Sequence, residues 1–282
     1  MKATFHRTLL VLLGLVALGQ PGRARPEAFA EVSLGFETGL APYGEWIVVP
    51  HHGRVWRPRR VAAGWRPYLH GRWVWTDDGW FWDSGEPWGW AVYHYGRWYV
   101  DPVYGWLWVP GTVWAPAWVS WRFGGGVIGW APLLPGFSVW WTAGYPVHHA
   151  SWVFVPTGRF VGARVDSVAF APARSAVLFS GTHAAPPRSV SGSAPRLGGP
   201  PRRFVERQIG RPIAPVRVAA ASTPQAARAA RREGAVSVYR PAHPAMSRAG
   251  AHAARSRPMA HAGTSRATAH AARSRPSGQC SW

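Results

Sequence analysis

The sequence predicts an all-β protein, with tandem short Trp-rich β-hairpins forming one compact antiparallel domain, followed by a largely disordered basic tail. Three observations carry this expectation. The chain has 20 Trp, and all but Trp282 fall within residues 46–152. It has 32 Gly and 27 Pro, an abundance that opposes long helices and favours short strands and turns. A unit of G-R-W followed by G-W-x-W occurs as Gly71-Arg72-Trp73 with Gly79-Trp80-Phe81-Trp82. It recurs as Gly96-Arg97-Trp98 with Gly105-Trp106-Leu107-Trp108, and a degenerate copy ends at Gly129-Trp130-Ala131-Pro132. Recurrence at this spacing marks one supersecondary unit used several times.

Residues 1–30 read as a secretory signal. Lys2, His6 and Arg7 form a basic start, and Leu9 to Leu18 is an apolar run too short to span a membrane. Small residues at −3 and −1 stand at both Gly22-Arg23-Ala24 and Ala28-Phe29-Ala30, so cleavage after Ala24 and after Ala30 both fit. No later segment is apolar for the length of a membrane-spanning helix, and export to the periplasm, envelope or medium is the expectation.

Residues 31–170 form the expected folded domain. Glu31 to Phe36 alternates like a strand. Trp46-Ile47-Val48-Val49 and Arg54-Val55-Trp56-Arg57 are β-prone runs flanking the turn signal Pro50-His51-His52-Gly53. Asp78-Gly79 lies between two strand-like runs, a strong hairpin signal. With those two residues at the turn, Trp75 opposes Trp82 and Asp77 opposes Trp80. Side chains alternate along a strand, so Trp73, Trp75, Trp80 and Trp82 share one face and Arg72, Val74, Phe81 and Asp83 the other. A lone hairpin is marginal in water, so the Trp face must pack on a neighbour or hold a ligand. Pro87, Pro102, Pro110, Pro116, Pro132 and Pro135 keep later strands short. Gly124-Gly125-Gly126 joins Trp118–Arg122 to Val127–Pro132, and Ser151–Val155 is a last strand, with Phe160–Phe170 as a candidate after it.

Residues 171–282 carry 18 Arg against Glu206 and Glu233, most of the formal charge of +20. Aromatics nearly vanish there, and such a segment buries too little apolar surface to offset its ordering entropy. Two islands have helical character: Pro201 to Ile209, stopped by Gly210, and Pro224 to Glu233, with Thr223 at its N-cap. The octapeptide AHAARSRP occurs at both Ala251–Pro258 and Ala269–Pro276. A basic tail favours anionic partners. In an exported protein these are acidic envelope polymers rather than nucleic acid.

The chemistry-bearing residues are mostly aromatic. Trp73, Trp75, Trp80, Trp82, Tyr95 and Trp98 are candidates for a sugar-stacking platform, with Arg72, Asp77, Asp83, Arg97 and Asp101 as polar partners. Against this stands the reading in which the indoles are the core. Asp77, Asp78, Asp83 and Glu86 cluster, but the turn and the Glu86-Pro87 connection account for them, and no catalytic residue is assigned. The pairs His51-His52 and His148-His149 lack the further ligands of a metal site. Cys280 is the one cysteine, which excludes an internal disulfide. No phosphate loop and no cofactor motif is present.

The run Tyr93-His94-Tyr95-Gly96-Arg97-Trp98, then Tyr104-Gly105-Trp106-Leu107-Trp108-Val109-Pro110-Gly111, Trp114-Ala115-Pro116-Ala117-Trp118-Val119-Ser120-Trp121 and Gly129-Trp130-Ala131-Pro132-Leu133 resembles a family of exported, Trp-rich bacterial proteins of uncharacterised function. The resemblance covers roughly residues 31–170. It implies export and an all-β Trp-rich domain, and it brings no activity and no catalytic residue. The resulting expectation is an exported envelope structural or interaction protein without catalytic activity, its basic tail contacting anionic polymer. A carbohydrate-binding module using an exposed Trp/Tyr face is the alternative, and a glycan hydrolase is the remote one. Closed barrel and open hairpin stack both satisfy the pattern.

Overall fold

The computed structural model describes residues 35–136, 149–185, 198–229 and 235–240. Within them most of the regular structure is strand, arranged in small sheets. Helix α1 covers residues 35–40, so the expected strand at its start is wrong for Gly35 and Phe36. The helix places Phe36 edge-on to Trp108, with ring centroids 5.4 Å apart, a contact that outweighs the local alternation. Residues 31–34 lie outside the described residues.

Four antiparallel hairpins follow: β1 (Gly44–Val49) with β2 (Gly53–Pro58), β3 (Gly71–Thr76) with β4 (Gly79–Ser84), β5 (Arg97–Asp101) with β6 (Gly105–Val109), and β7 (Val119–Gly124) with β8 (Val127–Pro132). A one-turn helix α2 (Gly89–Val92) separates the second from the third. Each hairpin places one Trp directly opposite another: Trp46 and Trp56, Trp73 and Trp82, Trp98 and Trp108, Trp121 and Trp130. In three of them a glycine two residues before the first Trp lies under the indole of the second. A Cβ on Gly71 would fall 2.7 Å from the Trp82 ring, and one on Gly96 2.7 Å from Trp108 Nε1; Gly44 is likewise closed off by Trp56. The G-R-W motif, and the G-E-W of the first hairpin, therefore record a vacancy that the opposite indole fills.

The Asp-Gly hairpin forms two residues out of the expected register. Trp75 opposes Trp80 and Thr76 opposes Gly79, so Asp77 and Asp78 make the tip and Gly79, at φ +104°, stands just after it. Thr76 Oγ1 donates to the Gly79 carbonyl at 2.9 Å and closes this turn. A slip of two residues keeps every side chain on its face, so the four indoles do share one face. At the β7–β8 turn, Gly125 (φ +55°) and Gly126 (φ +79°) supply the two positive φ angles of a tight hairpin loop.

The hairpins combine in pairs that are not sequential. One four-stranded sheet has the order β1-β2-β6-β5, with Trp56 opposite Trp108 at its centre. A second joins β7 and β8 to β9 (Val153–Pro156) and to β10 (His183–Ala184), in the order β10-β7-β8-β9. The β3–β4 ribbon packs its Trp face on this second sheet, Trp73 meeting Trp121 at 4.5 Å and Trp130 at 5.4 Å. Tyr68, fully buried at φ +60°, links the two halves. Its hydroxyl donates to the Tyr93 carbonyl and accepts from the Trp118 N–H, and its carbonyl accepts from Trp130 Nε1. The segment expected as a strand at Phe160–Phe170 instead makes one isolated parallel bridge, Val161 to Trp73, and a 3₁₀ turn at Val165–Ser167.

Composition places the end of the fold at residue 170, yet structure continues beyond it. Helix α3 (Ser175–Ser180) leads into β10; α4 (Arg202–Ile209) ends at Gly210 in the left-handed region; β11 (Arg217–Ala221), α5 (Pro224–Ala229) and β12 (Ala235–Tyr239) follow. The first helical island thus forms, and the second forms over Pro224–Ala229, its expected remainder to Glu233 lying outside the described residues; Thr223 Oγ1 accepts from the Ala226 N–H as an N-cap. β11 and β12 pair in parallel, a departure from the antiparallel pattern. Val205, Ile213, Val236 and Val238 join the main core, so a few well-spaced aliphatics anchor a segment of low overall apolarity. The expected disorder of residues 241–282 concerns residues outside those described.

His94 lies in the core, stacked between Phe81 (4.6 Å) and Trp114 (5.9 Å), with the Arg240 guanidinium 3.7 Å from the Trp114 ring. Its Nδ1 is 3.1 Å from the Ala115 carbonyl, which makes that nitrogen the donor of a neutral ring. Burial lowers its pKa to about 4. A histidine that protonates more readily unfolded than folded stabilises the fold fully above the ordinary value of 6.5. That contribution is lost as pH falls towards 4. Urea unfolding of the wild type should lose on the order of 3 kcal/mol from this source between those limits, and His94→Gln should lack that slope whatever its absolute stability. Gly71→Ala should cost about 2 kcal/mol by forcing the Trp82 indole aside. Gly158→Ala, where a Cβ meets open space, should shift stability by less than about 1 kcal/mol in the same assay.

Candidate functional site

The expected aromatic platform is core. Trp73, Trp80, Trp82, Tyr95 and Trp98 are all buried, and Trp75 is half-buried. Their one-sidedness is satisfied internally, by the β7–β8 hairpin, by Phe160 at 4.7 Å from Trp80, and by the segment after residue 197. Trp80 Nε1 donates to the Pro200 carbonyl at 2.8 Å, and the Val216 N–H donates to the Trp75 carbonyl at 2.7 Å. Gly199, at φ +113°, passes so close that a Cβ would lie 2.7 Å from the Trp80 ring. A sugar cannot stack where the chain already does.

Of the proposed polar partners, Asp77 lines a small cavity of about 60 Å³ with Trp75 and Trp80, and the others lie elsewhere. Arg72 Nε donates to Asp83 Oδ2 at 2.9 Å on the ribbon's other face. The Arg97 guanidinium lies 3.5 Å from the Trp118 ring and donates to the Gly96 carbonyl. Asp101 Oδ1 accepts from the Val103 and Tyr104 N–H groups and shapes the β5–β6 turn. Asp77 is exposed at the hairpin tip, and Asp78 lies 3.7 Å from Arg240. His52 packs on Tyr99 and His149 on Phe179; His148 is outside the described residues. Among the described residues no group of three or more His, Cys, Asp or Glu is placed to hold a metal, and no helix is long and apolar enough to cross a membrane.

Sequence reasoning passed over a different constellation. Because β2 pairs with β6, the end of one hairpin meets the turn of another. An open crevice of about 440 Å³ results, lined by Arg57, Arg59, Arg60, Trp65, Tyr104 and Trp106 among others. Pro58 ends β2, and the Arg59 N–H donates to the Tyr43 carbonyl at 2.9 Å, which fixes the departing chain. Arg60 then adopts φ +57°, a conformation that costs a residue with a long side chain free energy. Arg57 Nη1 and Arg59 Nη2 share one carboxylate, Glu45, at 3.3 and 3.4 Å. Both pairs are long and more than a third exposed on the arginine side, so each is weak. Arg60 makes no ion pair among the described residues. The signal in sequence is Arg57-Pro58-Arg59-Arg60, a basic run next to the first hairpin's end.

Beneath the crevice wall lies a half-buried carboxylate. Trp65 turns its Nε1 inward to donate to Glu86 Oε1 at 2.5 Å, and the Tyr93 hydroxyl donates to Glu86 Oε2. Burial raises the Glu86 pKa, opposed by these hydrogen bonds. Glu86 therefore holds Trp65 in place rather than offering a free acid to the crevice. Arg66 beside it is 5% exposed and donates Nη1 to the Ala150 carbonyl at 2.9 Å; burial lowers its pKa to about 10.

No solved structure and no curated protein matches the chain. Residues 37–137, which hold the four hairpins and the crevice, match the model of a family of unknown function, DUF6600.

Proposed function

We propose that the protein is an exported, non-catalytic module of the cell envelope that binds anionic polymer through its arginine-rich surface. The observation that carries this reading is the division of labour among side chains. The aromatic rings that would bind neutral sugar are spent on the core, whereas Arg57, Arg59 and Arg60 are held at an open crevice with one carboxylate between them. The charge of the whole chain, +20, draws polyanions to such a surface. The apolar run at Leu9–Leu18 supports export, and the envelope supplies polyanions. A second reading, a carbohydrate-binding module, is supported by Tyr104 and Trp106 beside the arginines, since Tyr104 is 42% exposed.

The full chain should be retained on a polygalacturonate matrix at low ionic strength, released as salt rises, and not retained on a neutral glucan. Ionic contacts at an exposed surface weaken with screening. Replacing Arg248, Arg255, Arg257, Arg266, Arg273 and Arg275 with Gln in the full chain should lower the salt needed for release. Passage of the wild type through the matrix at low salt would refute the reading.

A further inference from the structure

Resting on that reading, we infer that the crevice between the end of β2 and the β5–β6 turn is a discrete site for a carboxylated sugar unit, a uronate. Arg59 and Arg60 bind the carboxylate there, and Tyr104 and Trp106 flank the ring. Five features point to this ligand. The volume, about 440 Å³, is that of a small-ligand cleft. The guanidinium is a planar fork whose paired N–H groups match a carboxylate. Glu45 occupies Arg57 and Arg59 at 3.3 and 3.4 Å, distances at the outer edge of an ion pair, so it neutralises the site in part without closing it. Three arginines and one glutamate leave the crevice cationic.

The fourth feature is Arg60. Its backbone sits at φ +57°, where glycine or asparagine is the comfortable residue. Folding alone gives no reason for an exposed arginine there, and strain of this kind concentrates where a side chain has a task. The aromatic pair distinguishes a sugar from a bare phosphate. The Arg57 guanidinium lies over the Tyr104 ring, 6.0 Å from its centre, which brings a cation and an exposed ring together at the crevice. A pyranose presents C–H groups to such a ring while its carboxylate reaches the guanidinium; an inorganic anion uses only the second.

The test is isothermal titration of the full chain with trigalacturonate, its methyl ester and inorganic phosphate. Trigalacturonate should bind saturably, and the ester, uncharged but of the same ring shape, at least tenfold more weakly. Arg60→Asn should weaken trigalacturonate binding about tenfold while the thermal midpoint holds or rises, because asparagine tolerates the backbone angle; unfolding therefore cannot account for the loss. Arg59→Gln should act in the same direction, and Glu45→Gln, which frees two guanidiniums, should tighten trigalacturonate but not its ester. Equal affinity for acid and ester overturns the assignment, as does full affinity in Arg60→Asn with Arg59→Gln. Phosphate binding as tight as trigalacturonate overturns the sugar and leaves a general anion site. If that double variant still sticks to polygalacturonate and loses it only when the arginines beyond residue 240 are replaced, this site fails while the broader reading stands. If the wild type binds no polyanion, both fail.

Discussion

An indole is too large to lie flat against a neighbouring strand unless something beneath it is missing. That steric fact organises this fold. Gly44, Gly71 and Gly96 each leave out a side chain where the opposite Trp must lie, and the first Trp of each motif then meets the second across the ribbon. Burial of such rings is worth roughly 3 kcal/mol apiece. The polar edge of the ring is also used. Trp98, Trp108, Trp118 and Trp130 donate to the carbonyls of Val92, Tyr95, His94 and Tyr68, so the rings tie connecting segments to the hairpins. A core made of few aliphatics thus acquires directionality from its N–H groups.

Period-2 alternation makes the shared face of Trp73, Trp75, Trp80 and Trp82 legible in the sequence, and parity makes that reading insensitive to the exact turn. The turn itself is less legible. Asp-Gly reads as the two tip residues, but Thr76 and Gly79 close a turn with Asp77 and Asp78 at its tip, and nothing local distinguishes the two. The helix at residues 35–40 is hidden for a different reason, since its stability comes from Phe36 packing on Trp108, far along the chain. The structure of residues 198–240 escapes a compositional reading because Val205, Ile213, Val236 and Val238 are sparse. Their effect depends on the Trp surface they meet.

The crevice is illegible in principle from neighbouring residues. Arg57, Arg59 and Arg60 come from the first hairpin, Tyr104 and Trp106 from the third, and Trp65 from the connection between the first and second. They meet because β2 pairs with β6 across an intervening hairpin. The basic run is visible as charge; its position beside two aromatic rings is a property of sheet order. The platform residues fail as a site for the converse reason. They are adjacent in sequence, and adjacency on one face makes them the surface that other parts of the chain cover.

The segment recognisable by similarity and the segment that folds do not coincide. The match ends at residue 137, but Trp80 hands its N–H to Pro200, Trp75 receives the Val216 amide, Phe123 packs on Phe204 and Trp90 on Tyr239. A chain cut at the border of the match would keep all four hairpins and bare the flank of the β3–β4 ribbon to solvent. The stretch that the family model matches thus depends for its cover on residues that lie beyond the match.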